Sequence, residues 1–164
     1  LQKKIALSFV EMAVYHADYY TPLYIFGEGK LVRSAEIIKL AIRSTSFNAM
    51  YPGVKFRASF DNLSKEKQDD LKVWIDTFIA NLASLVEKHI DELYTNCGWN
   101  NEVKHYFRYT INKNYMNLGF PTPYPDDANT INPTIQRGVI KSADFEDFFY
   151  YQNSNRLTDF HEEQ

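Results

Sequence analysis

The sequence has one cysteine, no long apolar run and no block of basic residues. Because Cys97 has no second thiol to pair with, an internal disulfide is excluded and a reducing, cytoplasmic compartment is expected. A membrane-spanning helix needs about 18 consecutive apolar residues, and the sequence has no such run. The net charge of −3 leaves no electrostatic footprint for nucleic acid. We therefore predict a protein that binds neither nucleic acid nor membranes.

The first residues, LQKKIALSFVEM, superficially match a secretory signal peptide. Their apolar part is short and Glu11 interrupts it, so we reject that interpretation. The sequence starts with Leu1 rather than methionine, and this start falls within a predicted helix. We therefore expect the chain to be a fragment or one piece of something larger.

The composition is that of a packed globule, with 45% apolar and 16% aromatic residues in a chain of 164. Helical periodicity and terminal signals predict five helices, over 4–20, 31–51, 56–60, 64–96 and 100–118. In the long fourth helix the predicted apolar stripe is Leu71, Trp74, Ile75, Phe78, Ile79, Leu82, Leu85, Val86, Ile90 and Leu93. In the fifth helix the residues predicted to face inward are Val103, Tyr106, Phe107, Ile111 and Met116.

Proline, glycine and serine residues predict where these helices begin and end. Pro22 is expected to end the first helix, and Pro52 with Gly53 to bend or break the one that follows. Phe26–Lys30 is predicted to be a glycine-bearing loop. Ser64 is the expected N-cap of the fourth helix, and the expected C-terminal stops of the last two helices are Gly98 and Gly119.

The chain changes character after residue 120. Residues 121–164 combine a proline-rich loop, one or two helical turns at 133–138 and an acidic, aromatic stretch without periodicity. We therefore predict an all-α helical body over 1–120 and, over 121–164, a loop, a short helix and an extended tail.

Most motifs in the sequence have an ordinary structural explanation. FGEGK lacks the spacing of a phosphate-binding loop and a strand before it. The histidines lack metal-ligand spacing, so surface or partly buried roles are expected for His16, His89, His105 and His161. Cys97 is expected to be an inert thiol. Asp126 and Asp127 are predicted to be solvated.

Two features of the predicted helices call for another explanation. Glu11 is flanked by apolar residues, and a carboxylate on an apolar helix face is costly unless it is paired or binds a metal. The alternative is that Glu11 lies on the polar side of its helix. Thr45 and Asn48 lie three residues apart in an apolar run, so they share one face of a helix.

Several segments together resemble the C-terminal half of the small, radical-bearing subunit of class I ribonucleotide reductase, closest to class Ib. RYTINKNYMNLGF, at 108–120, is similar to that family's Arg-Tyr-Asn-Ala-Asn-Lys-x-x-Met-Asn-Leu-Gly signature. The other similar segments are FVEMAVYHADYYTPLYIFGEGKL, AEIIKLAIRSTSFNAMYPGVKF, ELYTNCGWNNEVKHYFRY, INPTIQRGV and the DFF of residues 147–149. The likeness covers almost the whole chain.

The resemblance implies half of a ferritin-like helical bundle that holds a di-iron or di-manganese site. In such bundles one glutamate comes from each of two helices and a Glu-x-x-His pair from each of the other two. Glu11 matches a lone glutamate ligand of the family. Thr45 and Asn48 match the glutamate and histidine of one pair, and both are replaced. We therefore expect the metal site of this chain alone to be absent or incomplete, and we assign no catalytic residue.

The resemblance leaves two functions open. The chain could be one piece of a split or degenerate radical-generating subunit of ribonucleoside-diphosphate reductase, partnered by an N-terminal half and acting in deoxyribonucleotide synthesis. It could instead be a non-catalytic homologue, a scaffold or inactive partner of an intact small subunit. In either case the tail could dock on the large subunit through Phe160 and nearby acidic residues. The roles of Tyr15, Tyr51 and Tyr109 stay open, since tyrosines are abundant here.

Overall fold

The structure, a computed structural model, describes residues 1–139, without the side chains of Val32, Ala35, Glu36 and Asp126. Its helices are α1 (Gln2–Phe9), α2 (Tyr15–Asp18), α3 (Tyr20–Gly27), α4 (Val32–Phe60), α5 (Lys65–Tyr94), α6 (Asn100–Leu118) and α7 (133–139). A π-helical turn, Val10–Val14, joins α1 to α2. The described part of the chain has no strand, which confirms the all-α prediction.

The core lies where α1, α4, α5 and α6 meet. Phe9 of α1 and Phe107 of α6 are fully buried there, and the ring of Phe9 meets that of Tyr115 edge to face at 5.6 Å. α4 packs along α1, while α6 contacts α4, α5 and the π-helical turn. This packing places the π-helical turn between α4 and α6. Among residues 1–139, no helix is long and apolar enough to cross a bilayer.

The predicted helix end near Pro22 is close to the observed one, but Pro22 itself lies in a helix. The first helix does end close to Pro22, at Asp18, but α3 then begins at Tyr20 and contains Pro22 in its first turn. Proline is tolerated there because the first N–H groups of a helix have no partner within the helix. The predicted loop at 26–30 is therefore shorter, since α3 continues through Gly27.

Pro52 and Gly53 were predicted to bend or break the helix, and the break is wrong, because α4 runs unbroken from Val32 to Phe60. An interior proline costs a helix about 3 kcal/mol relative to alanine. Beyond it, the rings of Phe56, Phe60 and Phe120 pack together with centroids 5.2, 5.3 and 5.7 Å apart. Each such pair contributes roughly 0.5–1.5 kcal/mol beyond its buried area. Tertiary packing thus offsets the local tendency of Pro52 to break the helix.

The other helix ends are as predicted. Gly98 and Gly119 have φ of 74° and 81°, the left-handed conformation that ends a helix and favours glycine. Ser64 is the N-cap of α5, although its hydroxyl makes no capping hydrogen bond. The predicted turns at 133–138 are the helix α7.

Three residues predicted to face inward are exposed: Leu85, Leu93 and Met116. The buried stripe of α5 is narrower than the predicted one and is formed by Leu71, Ile75, Ile79, Ala83 and Ile90. The division at residue 120 remains a prediction. The tail elements at 147–149 and Phe160 lie outside the described residues.

The most specific sequence block, 108–120, builds the scaffold. The Arg108 guanidinium donates to both carboxylate oxygens of Glu87, at 2.8 and 3.1 Å, and joins α6 to α5. The buried Asn112 holds the proline-rich loop: its Oδ1 accepts from the Tyr124 N–H at 3.1 Å, and its Nδ2 donates to Asn129 Oδ1 at 3.0 Å. Asn117 Nδ2 donates to the carbonyl of Ala49 in α4 at 3.1 Å. These side chains fix the relative positions of the elements.

Candidate functional site

Glu11 lies in the π-helical turn between α1 and α2. The backbone N–H of Tyr15 donates to the carbonyl of Val10, five residues earlier, which is the hydrogen bond of a π-helix. Short π-helical turns inside α-helices are frequent at functional sites. Glu11 itself is partly buried, so both interpretations of this carboxylate stay open.

Thr45 points from α4 towards the same region. It is buried, and its hydroxyl donates to the carbonyls of Ala41 and Ile42 in its own helix, both at 3.1 Å. The hydroxyl oxygen lies 3.1 Å from Nε2 of His16. Which of these two atoms donates follows from the tautomer of the imidazole, because the single Thr45 proton also has the two backbone carbonyls as acceptors.

A surface or partly buried role was expected for His16, whereas the structure buries it between α2 and α4. The residue is 8% exposed, and Nε2 also lies 3.4 Å from the Ser46 hydroxyl. Burial lowers the pKa of His16 from 6.5 to about 4, so the ring is neutral at physiological pH.

Tyr19 completes this polar cluster, which we call the His16 cluster: Glu11, His16, Tyr19, Thr45 and Ser46. The pKa of the Tyr19 phenol is raised, first by burial and then by the charges of Asp18 and Glu11, while a hydrogen bond with Thr45 opposes the rise. The phenol therefore stays protonated at neutral pH. Within the cluster, His16 joins α2 to Thr45 and Ser46 of α4 through hydrogen bonds between neutral groups.

Asn48 lies apart from these contacts. It is exposed, whereas Thr45 is buried, because residues three apart on a helix differ by about 60° around its axis. The structure thus brings Thr45 into the His16 cluster and leaves Asn48 at the edge of the same helix face.

The donor set of the cluster does not fit a dinuclear metal site. In the described part of the chain, no group of three or more His, Cys, Asp or Glu side chains converges as metal ligands would. The Thr45 hydroxyl is neutral and directed to backbone carbonyls, and Nε2 of His16 is occupied by its hydrogen bond. Two metal ions of the iron or manganese type would need several carboxylates here. The carboxylates whose charges act on the cluster are Asp18 and, more weakly, Glu11, both through Tyr19.

The remaining sequence-predicted candidates lie elsewhere. His89 is exposed and His105 is partly buried, with its Nε2–H donating to the carbonyl of Thr130 at 2.8 Å. Cys97 is exposed. Asp127 is exposed, as predicted, and His161 lies outside the described residues. No additional titratable group joins the His16 cluster from these positions.

A separate cavity of about 310 Å³ opens between α3, α6 and the loop before α7. Tyr20 donates to Oε2 of Glu102 there at 2.6 Å, and Asn132 Nδ2 donates to the same atom at 2.9 Å. Burial, followed by the hydrogen bond to Glu102, raises the pKa of Tyr20. None of the candidate ligand positions lines the cavity.

Comparison with known proteins gives a consistent result. Residues 1–133 match the family model described as ribonucleotide reductase, small chain. The chain is 31% identical over 150 residues to the ribonucleoside-diphosphate reductase 2 subunit beta of Escherichia coli, covering 91% of this chain and 47% of the relative. It is 31% identical over 145 residues to the corresponding subunit beta of Bacillus subtilis, covering 88% and 44%.

Among solved structures, the crystal structure of Streptococcus sanguinis dimanganese(II)-NrdF is similar, with a TM-score of 0.80 and 40% identity. The match covers 84% of this chain and 48% of that one. It confirms the expected ferritin-like helical fold. The chain spans about half the length of the relatives it matches. The chain belongs to the ribonucleotide reductase small-chain family of class I enzymes, close to the class Ib type.

Proposed function

We propose that the chain acts in deoxyribonucleotide synthesis as one half of a ribonucleotide reductase small subunit. The observation that carries this proposal is the family match over residues 1–133. Within this proposal, Glu11 stands at a ligand position of the family. The N-terminal half would supply the remaining helices and metal ligands, on a separate chain or on the same longer one. The bound metals, iron or manganese in the family, would supply the oxidation chemistry.

The contribution of this half is limited by its own residues. Glu11 would be the single ligand, and Thr45 and Asn48 would not bind. The scaffold contacts of Arg108, Asn112 and Asn117 would hold the helices that carry these positions. The large subunit would be a partner of the completed assembly, reached through the tail.

A second function is favoured by the His16 cluster itself. Its hydrogen bonds between neutral groups avoid the repulsion and desolvation that a cluster of empty carboxylate ligands would carry. Such a site suits a non-catalytic homologue that keeps the fold as a scaffold, or as an inactive partner of an intact small subunit.

Reconstitution distinguishes these functions. The chain, a complementary N-terminal half and a large subunit are combined with iron or manganese, and the tyrosyl-type radical and reduction of a ribonucleoside diphosphate are measured. For the split subunit we expect both signals, and loss of both in Glu11→Ala. For the scaffold we expect a complex with neither signal, in which Glu11→Ala changes nothing. If neither complex nor radical forms, the split-subunit proposal is wrong.

A further inference from the structure

The cavity of about 310 Å³ between α3, α6 and the loop before α7 has the dimensions of a small-molecule site. Such sites start at about 300 Å³, whereas one water takes up about 30 Å³. Its walls include the rings of Tyr20 and Tyr106, whose centroids are 5.7 Å apart, and the aliphatic side chain of Ile131. Glu102 and His105 of α6 add polar groups to this lining.

Hydrogen-bond donors around the cavity are largely used inside the protein. The Tyr20 hydroxyl donates to Oε2 of Glu102 at 2.6 Å, and Asn132 Nδ2 donates to the same oxygen at 2.9 Å. Nε2–H of His105 donates to the carbonyl of Thr130 at 2.8 Å, which leaves Nδ1 of the neutral imidazole as an acceptor. Among the described residues, no donor reaches Oε1 of Glu102. The cavity therefore offers a ligand mainly acceptors.

Glu102 also lacks a positive partner in the described part of the chain. The nearest lysine in sequence, Lys104, pairs with Asp91 at 2.6 Å, and Arg137 of α7 lies 3.9 Å from Glu28. Glu102 lies in the first turn of α6, where the helix dipole stabilises a negative charge with or without a ligand. The cavity beside this carboxylate, rather than the charge itself, indicates a ligand.

These features together select one chemical class of ligand. An ammonium group donates hydrogen bonds, carries a positive charge and is attracted to the faces of tyrosine rings. Because the Tyr20 hydroxyl donates to a carboxylate, its ring is polarised in the sense that favours a nearby cation. A bare metal ion fits poorly, since hard cations take several oxygen ligands and most of this wall is aromatic or aliphatic.

We propose that this cavity binds a primary ammonium group on a short aliphatic stem, with Glu102 as its counter-ion. The stem would pack against Tyr106 and Ile131. The ammonium group belongs either to a free small-molecule amine or to a lysine side chain of a partner protein, because both present the same chemistry. The site shares no residue with the candidate metal-ligand positions, so it stands whether or not the chain acts in deoxyribonucleotide synthesis.

Titration with n-butylammonium chloride tests the site, with n-butanol at matched ionic strength as a neutral control of similar shape. The backbone amide shifts of the nitrogen-15-labelled full chain are followed by NMR. We expect saturable shifts at Glu102, His105 and Ile131 with butylammonium, and a dissociation constant about tenfold or more higher for butanol. Equal affinity for the two compounds, or no saturable shift at these residues, would overturn the proposal.

A charge-removing substitution identifies the counter-ion. Glu102→Gln keeps an oxygen that accepts from Tyr20 and Asn132, so thermal unfolding should change little, while affinity for butylammonium should fall by about tenfold or more. Glu66→Gln removes the same charge at an exposed position in the first turn of α5 and should bind like the unaltered chain. If both variants bind as the unaltered chain does, the proposal is wrong. Should Glu102→Gln weaken the fold, the butanol comparison on the unaltered chain still decides.

The same titration on the chain bound to a complementary small-subunit half distinguishes the two sources of the ammonium group. Butylammonium binding in both states assigns the cavity to a free amine. Binding that is lost on assembly, and restored when the lysines of the partner are acetylated, assigns it to a lysine side chain of that partner.

Discussion

The free energy of unfolding is expected to fall by about 3 kcal/mol as the pH is lowered from 7 to 4, through His16 alone. Burial lowers the pKa of His16 from 6.5 to about 4 in the folded chain. Between these values the unfolded chain binds a proton that the folded chain excludes, so the stability contributed by this residue is complete above pH 6.5. It is lost as the pH falls through 4, and below that value the contribution is constant.

Chemical denaturation at a series of pH values, on the unaltered chain and on His16→Gln, measures this effect. The carboxylates titrate alike in both proteins, so the difference between the two curves isolates His16. We expect the two curves to diverge between pH 4 and 6.5, with the steeper slope in the unaltered chain. Parallel curves would mean that the imidazole is not held neutral between Thr45 and Ser46.

The double substitution Thr45→Glu and Asn48→His is expected to raise the affinity for Mn²⁺ by about tenfold or more, roughly 1.4 kcal/mol per decade. It replaces a hydroxyl directed to its own backbone and an exposed amide with a carboxylate and an imidazole. Both are ligands that manganese and iron accept. The new carboxylate would lie beside Nε2 of His16 and in the same cluster as Glu11. The gain should be larger when the complementary half is present.

The matched control is Thr45→Gln with Asn48→Gln, which changes the size of both side chains without adding a charge or an imidazole. Binding is measured by the loss of the free Mn²⁺ signal in electron paramagnetic resonance, and stability is measured with and without a chelator. We expect only the Glu and His variant to bind more tightly and to lose stability on chelation. Equal binding by both variants would show that the two positions do not face a common space with Glu11.

The parts of the fold that the sequence predicted are those with a local chemical signal. The stops at Gly98 and Gly119 require positive φ, and that requirement is visible in the residue type. The continuation of α4 through Pro52 was missed because it depends on the ring contacts of Phe56 and Phe60, which form only in three dimensions. The exposure of Leu85 was missed because periodicity marks apolar positions without showing how wide a face the neighbouring helix covers.

The candidate site was likewise predicted only in part from the sequence. Glu11 and Thr45 were found because the resemblance assigns them positions, and the structure brings Thr45 into the His16 cluster. The burial of His16 was not predicted because it depends on contacts with Thr45 and Ser46 of α4, which form only in three dimensions. The exposure of Asn48 follows from its place on the edge of the buried face of α4.

The central claim is that hydrogen bonds of the His16 cluster stand in place of a metal site. The most direct test is to purify the chain from cells supplied with iron and manganese and to measure its metal content. Mass spectrometry of the digested protein gives the number of ions per chain, and thermal unfolding with and without a chelator shows whether they support the fold. We expect well under one iron or manganese per chain and the same melting temperature with chelator. Two tightly bound ions per chain, with a fold that weakens on chelation, would contradict the central claim.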